Sequence, residues 1–302
     1  MLDRILQKRL AEFVDRDAEL ARFCRMLDGG DKPIMVVWGE AGIGKTSLLA
    51  RMIHECATRK LHKSEIVWKD YNPPDYMAIM RKMRDDIGPE DFNDFTSLIE
   101  FYTKGGDEPR LSDPLGLRSQ QSVAEGARID HSEVGDIAGT VIKDSMIVVF
   151  RPDLPIPESE RRDKLTERFI ECLARSVKQK PVVVFMDAVE KMSPDTEKWV
   201  WQELLERAVQ LELSNLKFVL CGRKPPPQDR DWDMFIETAG LMPLASTDIV
   251  KYLANRQISL DDKGLAAVAF TILNSSRGLP IEVARQVDAL EQMMRGSIGG
   301  HT

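Results

Sequence analysis

The residues with the clearest chemistry form one octapeptide, Gly39-Glu40-Ala41-Gly42-Ile43-Gly44-Lys45-Thr46, followed by Ser47. Its glycines let the backbone wrap so that successive N–H groups point inward at an anion, and a helix starting at its end adds a favourable dipole. At this spacing the lysine reaches the β- and γ-phosphates of a nucleotide, and the threonine hydroxyl ligates Mg2+. Residues 39–47 are therefore candidate nucleotide contacts, with Lys45 also a candidate catalytic group.

Two strand ends supply the other candidates. Asp187 closes the apolar run Pro181-Val-Val-Val-Phe-Met186, where a carboxylate can hold magnesium through its water shell. Many phosphate-loop ATPases place a second acid next, to polarise the attacking water. Position 188 is alanine here, and the nearest acid, Glu190, is the candidate for that role. Its plainer reading is a solvated glutamate at a helix start. Arg223 follows the run Leu216–Cys221 and Gly222, from where a guanidinium reaches a γ-phosphate in a multidentate contact. A surface salt bridge is the alternative.

These side chains need elements to hold them, and the patterning provides them. Ile34–Trp38 reads as a buried strand directly before the glycine loop, and Leu48, Leu49, Met52, Ile53 and Cys56 recur at helical spacing after it. Further strands are expected at Glu65–Trp68, Val182–Met186 and Leu216–Cys221. Helices are expected from Pro74, over Phe92–Tyr102, over about 159–178, and from the Ser193-Pro194 cap. Alternating strands and helices imply a parallel α/β sheet flanked by helices, with ligands at the carboxyl ends of the strands. The division expected is a helical lead-in over 1–30, an α/β core over 31–227 and a helical lid over 228–302, with helices near 247–256, 261–274 and 280–294. Residues 103–135 are rich in Gly, Pro, Ser and charge and read as a loop insert. A hairpin is expected within 134–150, and the whole insert spans about 103–150.

Composition narrows the function. A net charge of −7 argues against a general nucleic-acid binder, which needs clustered Lys and Arg. The longest apolar runs, Ile147–Phe150 and Val182–Met186, are too short to cross a bilayer. Cys24, Cys56, Cys172 and Cys221 form no Cys-x-x-Cys pair, which suits reduced thiols in the cytoplasm. The four histidines show no ligand spacing, so no protein-held zinc is expected.

Several segments together resemble the STAND-type ATPases, AAA+-related signalling P-loop NTPases that include apoptotic and plant-resistance ATPases, NACHT proteins and archaeal-type ATPases. The segments are Phe13-Val14-Asp15-Arg16 with Glu19-Leu20, the phosphate loop, Asp187, Arg223, Leu241–Leu253, and Gly278-Leu279-Pro280. In order they cover about residues 11–290. The resemblance implies that Phe13, Val14 and Arg16 contact base and ribose and that Pro280 packs on the base from the lid. It also implies ATP or ADP with Mg2+ as ligands. Ala188 departs from the family's paired acids, so the hydrolysis implied is slow. Family members usually continue into a winged helix and a repeat-built sensor, whereas this sequence ends about twenty residues after Pro280. The expected function is a nucleotide-dependent signalling switch that self-associates or meets separate sensor and effector proteins. An AAA+ ATPase working with nucleic acid, of the origin-binding or clamp-loading kind, is the alternative. A small-molecule kinase would need a set of lid arginines that is not evident.

Overall fold

The computed structural model describes residues 15–68, 73–105, 150, 151, 154, 156–226 and 230–298. Phe13, Val14, the expected hairpin and nearly all of the insert lie outside these.

The chain opens with helix α1 (Asp17–Leu27) and strand β1 (Ile34–Trp38), then α2 (Lys45–Thr58), β2 (His62–Val67), α3 (Tyr76–Ile87) and α4 (Asn93–Lys104). After the insert come α5 (Glu158–Gln179), β3 (Val182–Asp187) and a long helix α6. Helix α6 runs through Pro194–Trp199, a wider π-helical stretch Val200–Leu205, and Glu206–Gln210. Strand β4 (Leu216–Gly222), the single turn α7 (Arg230–Asp233) and β5 (Ile236–Gly240) complete the sheet. Helices α8 (Ser246–Asn255), α9 (Asp262–Ser276) and α10 (Pro280–Ile298) close the described chain.

All strands run parallel, in the order β2-β3-β4-β1-β5. Such a sheet is buried on both faces, so its strands read as continuous apolar runs. Alternate residues divide between the two faces. Val182, Val184 and Met186 pack with Phe169, Leu173 and Leu204 of the helices on one side. Val183 and Phe185 pack with Phe23, Leu48 and Met52 of α1 and α2 on the other. A third cluster, with Ile249, Leu253, Ile272 and Val287, lies among α8, α9 and α10. Among the described residues, no helix is long and apolar enough to cross a membrane.

Three local expectations need correction. Helix α3 starts at Tyr76 rather than at Pro74, because Asp75 Oδ1 accepts the Ala78 N–H at 2.8 Å while the Pro74 carbonyl accepts Trp68 Nε1 at 3.1 Å. Strand β2 starts at His62, three residues earlier than its apolar residues suggest, since His62, Lys63 and Ser64 already pair in register with Val182, Val183 and Val184. The stretch after 228 is not purely helical. Ile236–Gly240 pairs with Ile34–Trp38 along the far edge of the sheet.

Candidate functional site

The glycine loop leaves the carboxyl end of β1 and runs straight into α2. In the first turn of α2, Thr46 Oγ1 donates to Asp187 Oδ2 at 3.1 Å, joining the loop to the end of β3. Asp187 is 9% exposed, and its other oxygen accepts the Ala188 N–H at 2.9 Å. Ala188 holds the left-handed conformation (φ 61°), which turns the chain sharply after the acid and into the short turn Val189–Lys191. A non-glycine residue in that region is uncommon and worth reading as imposed by its surroundings.

Strand β4 lies between the loop's strand and the acid's strand, so its end faces both. Gly39 N–H donates to Gly222 O at 3.3 Å. Gly222 has no room for a side chain, since a Cβ would fall 2.7 Å from Val189 Cγ2. That close approach brings the turn carrying Glu190 against the end of β4. Arg223 Nε then pairs with Glu190 Oε1 at 3.0 Å. The arginine side chain is 58% exposed and the glutamate 18%.

Lys45 Nζ donates to Gly39 O at 2.7 Å and to Glu40 O at 2.8 Å. Burial lowers its pKa, while the carboxylates of Glu190 and Asp187 oppose that shift. The ammonium thus sits in a partly desolvated place with two anionic neighbours favouring its charge. An ammonium carries three donors, so one remains beyond the two loop carbonyls.

The remaining site residues brace the loop. Arg16, only 5% exposed, sends Nη2 to Ile43 O at 3.3 Å and Met242 O at 2.7 Å, and Nη1 to Asp15 Oδ2 at 2.7 Å. It therefore ties the phosphate loop to the segment leading from β5 to α8. Leu244 N–H donates to Gly278 O at 2.8 Å, and Ile281 N–H donates to Gly42 O at 3.3 Å. The Ile281 amide is one of the orphan donors of the first turn of α10, here satisfied by the phosphate loop itself. Gly42 adopts φ 80°, and a Cβ there would lie 2.6 Å from Ile281 Cγ2. Pro280 stands against Gly44, 3.7 Å from where a Cβ would be.

The donor set suits a hard divalent cation. A hydroxyl oxygen and a buried carboxylate stand together, and magnesium typically takes one or two such protein ligands, with waters and phosphate oxygens completing its shell. Thr46 could keep its hydrogen bond to Asp187 and still offer a lone pair of the same oxygen to such a cation.

The structure thus gathers Lys45, Thr46, Asp187, Glu190 and Arg223 at one end of the sheet, with Pro280 on the loop's flank. Arg16 reaches the loop from behind. Sequence reasoning did not find Gly222 as a close-approach position, nor Ile281 as the residue seated on the loop. A glycine between an apolar strand and an arginine, and an apolar residue directly after Gly278-Leu279-Pro280, were the signals available.

The profile of a family described as AAA ATPase domain matches residues 12–219, more than half of the chain. No curated protein matches the chain. Among solved structures, it is similar to a Signal Transduction ATPase with Numerous Domains from Pyrococcus horikoshii that carries a tetratricopeptide repeat sensor. That match has 14% identity and a TM-score of 0.47, over 89% of this chain and 28% of the other. It is also similar to Drosophila ORC bound to DNA, at 13% identity and a TM-score of 0.52, over 99% of this chain and 66% of the other. At such identity the second likeness shows a shared fold and nothing finer.

Proposed function

This chain belongs to the AAA ATPase domain family, and from that premise we propose that it is an adenine-nucleotide switch that hydrolyses ATP slowly with Mg2+. The observation that carries the reading is the seating of α10 on the phosphate loop, through Ile281 N–H on the Gly42 carbonyl. Any change in the loop's filling then acts directly on the helices that follow β5.

In this reading the loop 39–47, through those of its backbone N–H groups not already bonded within the protein, and the Lys45 ammonium hold the phosphates. Thr46 and Asp187 would hold a magnesium ion, which would supply charge to draw electron density from the phosphoryl oxygens. Phe13, Val14 and Arg16 stay assigned to the base and ribose side, with Arg16 acting from behind the loop. Pro280 borders the nucleotide from the lid. Glu190 orients and deprotonates the attacking water. Arg223 reads the γ-phosphate, and while paired to Glu190 it keeps that carboxylate from the water. Opening an ion pair before each turnover, with alanine in the place next to Asp187, is what makes hydrolysis slow. The division at 1–30, 31–227 and 228–302 belongs to the same proposal, with β5 added to the core's sheet. So do a cytoplasmic location, self-association, and separate sensor or effector partners.

Calorimetric titration tests the first part. ATP and ADP with magnesium should bind more tightly than GTP and GDP, and chelating the metal should weaken ATP binding. Equal affinity for adenine and guanine nucleotides would overturn the base assignment. The nucleic-acid alternative predicts salt-dependent DNA binding, against which the net charge of −7 weighs.

A further inference from the structure

Helix α6 starts just after Glu190 and changes pitch midway. Through Val200–Leu205 it is π-helical, and the Glu206 N–H donates to Trp201 O, five residues back. Such wide turns are rare and frequently mark functional sites. The pitch change alters what the helix presents. Leu204 and Leu205 both turn into the core, and Glu206 comes one wide turn after Trp201, on the same face. Glu197 lies one ordinary turn before Trp201.

That face borders a cleft of about 520 Å³, lined by Glu197, Trp201, Gln202 and Glu206 of α6 and by Trp232 of α7. Trp201 and Trp232 meet edge to face, with ring centroids 5.5 Å apart and planes at 80°. Both are half-buried, so the pair makes two walls of a corner that solvent still reaches. An edge-to-face contact covers part of one ring face and leaves the remaining π surface available. The polar rim is mainly acidic, with Glu197 and Glu206 against Lys198. Among the described residues, the Glu197 carboxylate and the Gln202 amide make no hydrogen bond or ion pair. Glu206 accepts from Gln210 Nε2 at 3.0 Å.

An aromatic corner beside unpaired carboxylate and amide oxygens suits a flat cation. We propose that this cleft receives an arginine side chain of a partner polypeptide. The guanidinium stacks on an indole face by cation–π attraction. Its in-plane N–H groups donate to the side-chain oxygens of Glu197, Gln202 and Glu206. Arginine is favoured over lysine because it combines stacking with a fork of donors and is more weakly hydrated. Helix α6 follows Glu190 and α7 follows Arg223 in the chain. An arginine held between them would therefore bridge the two segments that the Glu190–Arg223 ion pair already joins.

The test is NMR of the full chain with 15N-labelled tryptophan, titrated with acetyl-Gly-Gly-Arg-Gly-Gly-amide. The same peptide carrying citrulline, the neutral isostere of arginine, and one carrying lysine are the comparisons. The chain has five tryptophans, and Trp201→Phe and Trp232→Phe assign the two indole signals concerned. Those two should shift with the arginine peptide at about millimolar concentration. The indoles of Trp68 and Trp199, bonded inside the protein to Pro74 O and Thr166 Oγ1, should stay in place. The citrulline peptide should bind at least ~5-fold more weakly. Glu197→Gln combined with Glu206→Gln, both at exposed positions, should reduce that preference, with the unchanged Trp68 and Trp199 signals reporting the fold. No shift of the Trp201 and Trp232 signals at about 20 mM arginine peptide overturns the inference, as do shifts confined to other tryptophans. Equal affinity for the citrulline or the lysine peptide also overturns it. So does a folded double variant that keeps the full preference; should that variant fail to fold, the wild-type comparison of the three peptides decides alone.

Discussion

Asp187 and Glu190 are three residues apart, yet their neighbours differ, and the roles proposed for them differ accordingly. Asp187 is tied to the Thr46 hydroxyl and its own following amide, whereas Glu190 meets a half-exposed arginine. Asp187→Asn should therefore weaken magnesium-dependent ATP binding, read by titration with and without the metal. Glu190→Gln should preserve binding and lower hydrolysis by ~10²-fold or more; wild-type turnover in that variant would return Glu190 to a solvated role. Lys45→Met should remove most ATP affinity and lower the thermal melt only slightly, because the bonds it loses to Gly39 O and Glu40 O lie within the loop and one of them is exposed. Arg16→Met is expected to behave in the opposite way. It deletes two charge-assisted bonds to carbonyl groups, each worth roughly 1.5–3 kcal/mol, so a clear fall in melting temperature should come with any loss of affinity. The phosphate loop and Asp187 were legible in the sequence because each ends an apolar run with a residue of special chemistry. The Glu190–Arg223 pair was not legible, because it depends on β4 being inserted between β1 and β3, which residue spacing does not encode.

At the scale of elements, the joint between the phosphate loop and α10 is the feature most open to test. Gly42→Ala forces a left-handed φ on a residue with a Cβ, at a cost of about 1–2 kcal/mol, and drives that carbon against Ile281. Adding Ile281→Ala removes the clash but not the backbone strain. The double variant should then recover part, not all, of the nucleotide affinity lost in the single one; no recovery would mean that α10 does not bear on the loop. The central strands announced themselves in the sequence, being apolar on both faces. Strand β5 did not. Ile-Glu-Thr-Ala-Gly is a short edge strand preceded by a tryptophan-bearing turn, and only Ile236 and Ala239 are buried in it, one on each face, so it has no continuous apolar run to announce it. The start of β2 was hidden for the same reason, since His62 and Lys63 pair in register with Val182 and Val183 without being apolar.

At the scale of the whole molecule, a γ-phosphate can shift the balance of core and lid only by its differential affinity for the two arrangements. A contact network worth ~2–4 kcal/mol would turn a mostly closed population into a mixed one. Light scattering at matched concentrations should show a mainly monomeric or dimeric protein with ADP, and partial growth to a larger species with an ATP analogue and magnesium. Arg223→Ala should bind both nucleotides and remove the difference between them. Identical masses in all cases would leave a plain ATPase domain, or one that needs a partner to switch. The strand order has one more consequence, for the making of the protein. The strand before the phosphate loop is the first of the sheet to be translated, but both of its neighbours, β4 and β5, come late in the chain. Until they leave the ribosome, the edge Ile34–Val37 has nothing to pair with, and an unpaired apolar edge is prone to aggregation in a nascent chain. Pairings between distant residues also form slowly, since a long loop must close first. Nucleotide affinity is then among the last properties a newly synthesised chain acquires, and ATP in the cell cannot assist the folding of its own binding loop before residue 240 has emerged.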